Sequence, residues 1–167
     1  MRELPGGCVM PVTPLHIWPA AALKNPWPFI YANVLIDFEP IYIALSGAHV
    51  PLHGIFHTWL GALCVALAVW GCSLGWAWGL GALFGAVCHL VLDGFMHSDV
   101  LPWMPKDIAL VNLVSLILTA VTLPFIGRSC RAAGAWRPQR IWPVFALLIG
   151  WFVALLESNY WLAVGVT

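Results

Sequence analysis

Four long apolar stretches dominate this sequence, and they limit what the chain can fold into. They cover residues 54–72, 75–97, 108–127 and 141–164. A helix needs about 20 predominantly apolar residues to cross the hydrocarbon core of a bilayer, and all four stretches come close to that length. With 62% hydrophobic and 8% charged residues, a soluble domain would expose large apolar patches. The sequence therefore predicts an all-α, polytopic transmembrane helical bundle with four spans.

The region before these spans is also apolar, but it is interrupted. Residues 27–45 are long enough to cross a bilayer and contain Asp37, Glu39 and Pro40. Because proline removes a backbone donor and charges are costly in lipid, we expect a kinked or partly re-entrant helix here. Residues 14–23 contain two prolines and predict a short interfacial or re-entrant helix.

The chain shows no internal repeat and no long linker, so we interpret residues 1–167 as a single transmembrane domain. Residues 1–10 hold no apolar run of the kind found in a signal sequence, and we expect them to be a poorly ordered extension. Residues 11–105 contain the candidate metal ligands, and residues 106–167 contain two further spans.

Arginines set the predicted orientation in the membrane, because they crowd the connection between the last two spans. They are Arg128, Arg131, Arg137 and Arg140. Such clusters are normally retained in the cytoplasm. Counting back through the spans places residues 49–54 and 97–106 at the opposite face. We therefore expect a multi-pass protein of the bacterial inner membrane, with these two segments at the periplasmic face.

The overall charge argues against nucleic acid as a partner. Seven Lys and Arg residues balance seven Asp and Glu residues, so the chain has no basic excess to neutralise a phosphate backbone. The expected partners are membrane lipid and other membrane subunits.

Ionisable side chains are concentrated in the first hundred residues. All six histidines and four of the seven acids fall between residues 16 and 99, where Lys24 is the only Lys or Arg. Ionisable groups inside a membrane usually pair with one another or line a functional cavity, and a bound divalent cation would supply the missing positive charge. Imidazole and carboxylate ligands suit zinc first, with iron or manganese as alternatives.

Helical spacing indicates which of these residues could bind one ion together. His53 and His57 are four positions apart, and so are His89 and Asp93, so each pair shares one face of a helix. The two faces could share one ion, and the alternative is a hydrogen-bond network in an apolar core. His97 continues the second face near the aqueous edge, where we expect it to be solvated or to support a ligand.

The remaining candidates depend on the irregular N-terminal region. Asp37 and Glu39 would reach the same ion only if the helix breaks at Pro40. His16 is interpreted as a ligand or as a capping or hydrogen-bonding residue, and His49 as solvated or as a support for a ligand.

The order of four motifs resembles a known family. The motifs are Thr13-Pro14-Leu15-His16, Ile36-Asp37-Phe38-Glu39-Pro40, His53-Gly54-Ile55-Phe56-His57-Thr58 and His89-Leu90-Val91-Leu92-Asp93. Over residues 11–105 the chain resembles the small membrane-bound metal-dependent hydrolases typified by the YdjM and YbcI proteins. That family has an early His, a P-D-x-D-type motif, an H-R-G-x-T-H-S-type motif and an S-H-x-x-x-D helix. Here Glu39 replaces the second Asp, and the basic residue after His53 is missing.

The resemblance implies a metal site and an activity. By position in the motifs, the implied ligands are His16, Asp37, Glu39, His53, His57, His89 and Asp93. The implied activity is metal-dependent hydrolysis of a phosphodiester or similar ester at the membrane, with Asp37 or Glu39 as the catalytic base or a bridging ligand. A second hypothesis is a non-catalytic accessory subunit of a larger membrane complex, stabilised by a structural ion.

Cysteine labelling from outside the cell tests the predicted orientation. In a chain without its native cysteines, a Ser98→Cys reporter is expected to react with a membrane-impermeant reagent, because its loop faces the periplasm. A Gln139→Cys reporter is expected to stay protected. The reverse pattern would place the histidines at the cytoplasmic face.

Overall fold

A computed structural model describes residues 13–46, 54–97, 100, 101, 103, 105, 107–134 and 141–163. Its α-helices are α1 (Trp27–Ser46), α2 (Trp59–Gly71), α3 (Trp76–Met96), α4 (Ile108–Ala133) and α5 (Trp142–Ala163). Three short 3₁₀ helices cover Thr13–His16, Trp18–Ala22 and Ile55–His57. All regular structure in the described ranges is helical, which confirms the predicted all-α class. Predictions for residues 1–10, His49, His53, Ser98 and Gln139 lie outside these ranges.

Helix α3 is the centre of the fold, because α1 and α2 both pack along it. Small residues on α3 allow this close approach, among them Ala82 and Ala86, which are buried in the core. At Gly85 a Cβ atom would lie 2.7 Å from the carbonyl oxygen of Phe29 in α1. Glycine is therefore required where the two helix backbones meet.

Within the part of the chain that the structure describes, two helices, α3 and α4, are long and apolar enough to cross a membrane, on the grounds of length and composition. Helix α4 is the more exposed of the two, since only 11% of its most apolar 18-residue stretch is buried, against 50% of the corresponding stretch of α3. The prediction of four membrane spans is therefore corrected to two candidate spans in the described residues. Helix α2 has only 13 residues, and of α5 only the stretch Trp142–Ala154 is described fully enough to be compared with the length of a span.

The first predicted span is shortened by its own N-terminal turn. The hydroxyl oxygen of Thr58 accepts a hydrogen bond from the Gly61 N–H at 3.0 Å, which caps α2 and starts it at Trp59. The three preceding residues form the separate 3₁₀ helix Ile55–His57. Residues 54–58 are therefore a turn and not the first turn of a membrane helix.

The irregularity expected near the N-terminus is found in a different place. Helix α1 runs without interruption through Pro40 to Ser46, so the helix break expected at that proline is wrong. One missing backbone donor is tolerated within a packed helix. The short helix expected at residues 14–23 is instead a pair of 3₁₀ helices, Thr13–His16 and Trp18–Ala22.

The contact between α1 and α3 predicts different effects of one substitution at two glycines. Gly85→Ala is expected to lower the free energy of unfolding by about 1–3 kcal/mol, because its methyl group overlaps the α1 backbone. Gly150→Ala in α5 is the matched control, since a Cβ there meets nothing within 4 Å. Unfolding of the purified protein in detergent measures both. Equal stability of the two variants would contradict the close approach.

Candidate metal centre

Four buried side chains from three elements meet at one point. They are Asp37 of α1, His57 of the Ile55–His57 turn, and His89 and Asp93 of α3. Each offers one ligand atom, and these atoms all lie within 4.8 Å of one another. A tetrahedral ion with bonds of about 2.1 Å holds its ligand atoms roughly 3.4 Å apart. The cluster therefore has the dimensions of a site for one ion.

The spacing predicted on α3 is confirmed. His89 Nε2 lies 3.1 Å from Asp93 Oδ2 one helical turn away, and 3.3 Å from Asp37 Oδ1. His57 Nε2 lies 3.2 Å from the same Asp93 oxygen. The uninterrupted helix α1 thus delivers Asp37 to the site without the break expected at Pro40.

The donor chemistry of the cluster fits a divalent metal ion. Two imidazole nitrogens and two carboxylate oxygens form a set that suits zinc, iron or manganese. The Nε2 atom of His89 is buried, and it makes no hydrogen bond of normal geometry. It nevertheless faces two carboxylates, which is the arrangement that an ion between them would satisfy.

Glu39 lies beside this group and not within it. Its Oε1 accepts hydrogen bonds from the Ile55 N–H at 2.8 Å and the Trp151 indole N–H at 2.7 Å. Its Oε2 accepts one from the Phe56 N–H at 2.8 Å and lies 3.5 Å from His57 Nδ1. The carboxylate therefore anchors the turn that carries His57. Direct metal ligation by Glu39 stays a prediction.

The chain wraps tightly around this carboxylate. A Cβ at Gly54 would lie 2.5 Å from Glu39 Oε1, so a side chain at this position would displace the carboxylate. The glycine between His53 and Ile55 is thus explained by the space that Glu39 occupies.

His16 is adjacent to the cluster on the side of Asp93. Its Nε2 lies 3.5 Å from Asp93 Oδ1, and its Nδ1 lies 3.3 Å from His89 Nδ1. Burial lowers the pKa of the His16 imidazole to about 4, so this ring is neutral at physiological pH. Neutrality allows either a ligand or a hydrogen-bonding residue, which are the two interpretations that the sequence left open.

Of the other three histidines, the structure describes one. His97 is buried at the C-terminal end of α3, where its backbone N–H donates to the Asp93 carbonyl at 2.6 Å. His53, a predicted ligand, and His49 lie outside the described ranges.

Two supporting residues were missed in the sequence. Asn33 is fully buried, and its Oδ1 lies 3.0 Å from His89 Nδ1. It precedes Asp37 by four positions, so the same helical spacing could have found it. Trp151 comes from α5, far from every motif, and no local pattern indicates its bond to Glu39.

No protein-family model, curated protein or solved structure matches this chain. The similarity to the membrane-bound hydrolases therefore rests on the quoted motifs alone.

The indole of Trp151 is expected to contribute to metal affinity through Glu39. Trp151→Phe keeps an aromatic ring and removes the N–H, so the turn that carries His57 is held less firmly. We expect the dissociation constant for zinc to rise about tenfold, as is usual for residues that orient ligands. Competition with a chelating dye measures this constant in the purified protein.

Trp78→Phe is the matched control for this change. The Trp78 indole is also buried and donates to the Val69 carbonyl at 3.2 Å, but it lies about 16 Å along α3 from His89. Its loss should leave zinc affinity unchanged. The role of the Glu39 link is disproved if both variants weaken binding equally.

Proposed function

We propose that this chain is an integral membrane protein that binds one divalent ion, zinc in the first instance, and acts as a metal-dependent hydrolase. The convergence of Asp37, His57, His89 and Asp93 within 4.8 Å carries the proposal. Two carboxylates and two imidazoles buried together are costly unless a charge compensates them. A divalent cation is the simplest compensation.

The ligand types favour a catalytic over a structural ion. Closed structural zinc sites are typically rich in cysteine, whereas catalytic sites use His with Asp or Glu. A divalent ion held here would act as a Lewis acid and activate water toward an ester or phosphodiester. The similarity of the motifs to membrane-bound hydrolases supports the same activity.

Within this site the two aspartates are not equivalent. The Asp37 side chain is 10% exposed and that of Asp93 is 3% exposed. Asp37 is therefore the better candidate for a general base, because it can contact an entering substrate. Glu39 is a poorer candidate, since backbone and indole donors occupy both of its oxygens.

The proposed location is the inner membrane of a bacterium, with the metal centre toward the periplasm. The apolar helices α3 and α4 support a membrane location. Arg128 and Arg131 are exposed near the C-terminal end of α4, at the far end of this helix from the loop that follows α3. A cytoplasmic position for these arginines supports a periplasmic position for the centre.

A second candidate function is a non-catalytic accessory subunit with a structural ion. The deep burial of the four side chains favours it, because a closed site has no room for substrate. X-ray absorption on the zinc-loaded protein distinguishes the two functions. A coordinated water supports hydrolysis, and a shell completed by protein atoms alone supports the accessory role.

Metal analysis of purified variants tests the centre itself. His57→Ala and His89→Ala are each expected to lose most of the bound zinc, because each removes one of the four convergent ligands. The sequence predicts the same loss for His53→Ala. His97→Ala is the control and should retain its zinc. A wild-type protein that holds no divalent metal would overturn the proposal.

A further inference from the structure

We propose that His16 is a positioning residue, and that its Nε2–H is directed at Asp93 while the metal is bound by other side chains. The inference rests on the proposed metal centre. A chain of contacts that begins at Asn33 carries it, because each contact fixes where the proton of the next group lies.

The first step fixes the orientation of the Asn33 amide. Its Nδ2 lies 2.9 Å from the Phe29 carbonyl oxygen and 3.2 Å from the Gly85 carbonyl oxygen. Carbonyl oxygens only accept hydrogen bonds, so the NH₂ group must face both of them. The Asn33 Oδ1 atom therefore faces His89, at 3.0 Å from Nδ1.

The second step fixes the proton on His89. Because Asn33 Oδ1 is an acceptor, His89 Nδ1 must carry the hydrogen. In the neutral ring the lone pair is then on Nε2, which faces the carboxylates of Asp37 and Asp93. This is the form that a metal ligand needs, with the opposite ring nitrogen held by a hydrogen bond.

The third step assigns the proton on His16. Its Nδ1 lies 3.3 Å from the same His89 Nδ1, and the two rings are nearly perpendicular, at 88°. Two N–H groups cannot point at each other, so His16 Nδ1 must carry the lone pair. The hydrogen of the His16 ring therefore lies on the other nitrogen, Nε2. A nitrogen that carries a hydrogen cannot bind a metal ion.

The fourth step concerns Asp93, whose two oxygens face different groups. Its Oδ2 lies within 3.2 Å of both His57 Nε2 and His89 Nε2, whereas its Oδ1 lies 3.5 Å from His16 Nε2. The latter contact is longer than a normal hydrogen bond, and His16 Nε2 is a buried atom that makes no hydrogen bond of normal geometry. The Nε2–H faces Asp93 Oδ1. His16 thus orients Asp93 so that Oδ2 faces the ion.

The test compares His16 variants of the full-length protein loaded with zinc. X-ray absorption counts the imidazoles bound to the ion, and His16→Gln and His16→Leu are both expected to keep the wild-type count. His89→Gln is the control and should lower the count by one. A decrease of one in either His16 variant would overturn the inference and make His16 a ligand.

Metal affinity supplies a readout that separates orientation from folding. Glutamine can donate a hydrogen bond from a position close to that of Nε2, so His16→Gln should stay within about threefold of the wild-type zinc dissociation constant. His16→Leu lacks a donor and should weaken binding by about tenfold to a hundredfold. Equal weakening by both variants contradicts a role as donor.

Nitrogen-15 spectra of the histidine rings test the proton positions directly, even in the metal-free protein. We expect a hydrogen on His16 Nε2 and none on His16 Nδ1, together with an Nδ1–H on His89. A hydrogen on His16 Nδ1 overturns the inference while leaving the proposed function intact. Conversely, these proton positions in a protein that binds no zinc would disprove the metal centre alone.

Discussion

The burial of carboxylates in an apolar fold is the constraint on which the rest of this structure depends. Asp93 is 2% exposed and sits in the middle of α3, the helix on which α1 and α2 pack. Its two oxygens face three histidines from different parts of the chain. A second buried acid, Glu39, organises the turn before α2 in the same way. The contacts of these two acids fix the positions of the helices that carry them and their partners.

The part of the centre that follows from local geometry could be predicted from the sequence. His89 and Asp93 are four positions apart and meet on one face of α3, as the spacing requires. The same rule would have added Asn33 to Asp37 on α1. The role of Trp151 could not be predicted, because it depends on how α5 packs in three dimensions. The helical class followed from composition and apolar length, which need no tertiary information.

Two of the corrections to the fold have different physical causes. A break was expected at Pro40, and a full membrane span was expected from residue 54. In the structure α1 continues through the proline, while residues 54–58 leave the helix to place backbone N–H groups on Glu39. At residues 54–58 the hydrogen bonds to a buried carboxylate outweigh the preference of an apolar segment for one continuous helix. At Pro40 a packed helix tolerates one missing backbone donor.

The hydrogen bond from Trp151 to Glu39 links the candidate metal centre to a helix that is synthesised after all of its described ligands. Every candidate ligand precedes α4 in the chain, so all of them leave the ribosome before α5 does. Until α5 packs, Glu39 is held by the backbone N–H groups of Ile55 and Phe56 without its indole donor. Helix α5, which carries no described ligand, thus completes the support of His57. The candidate centre is therefore expected to reach its full support only after α5 has packed.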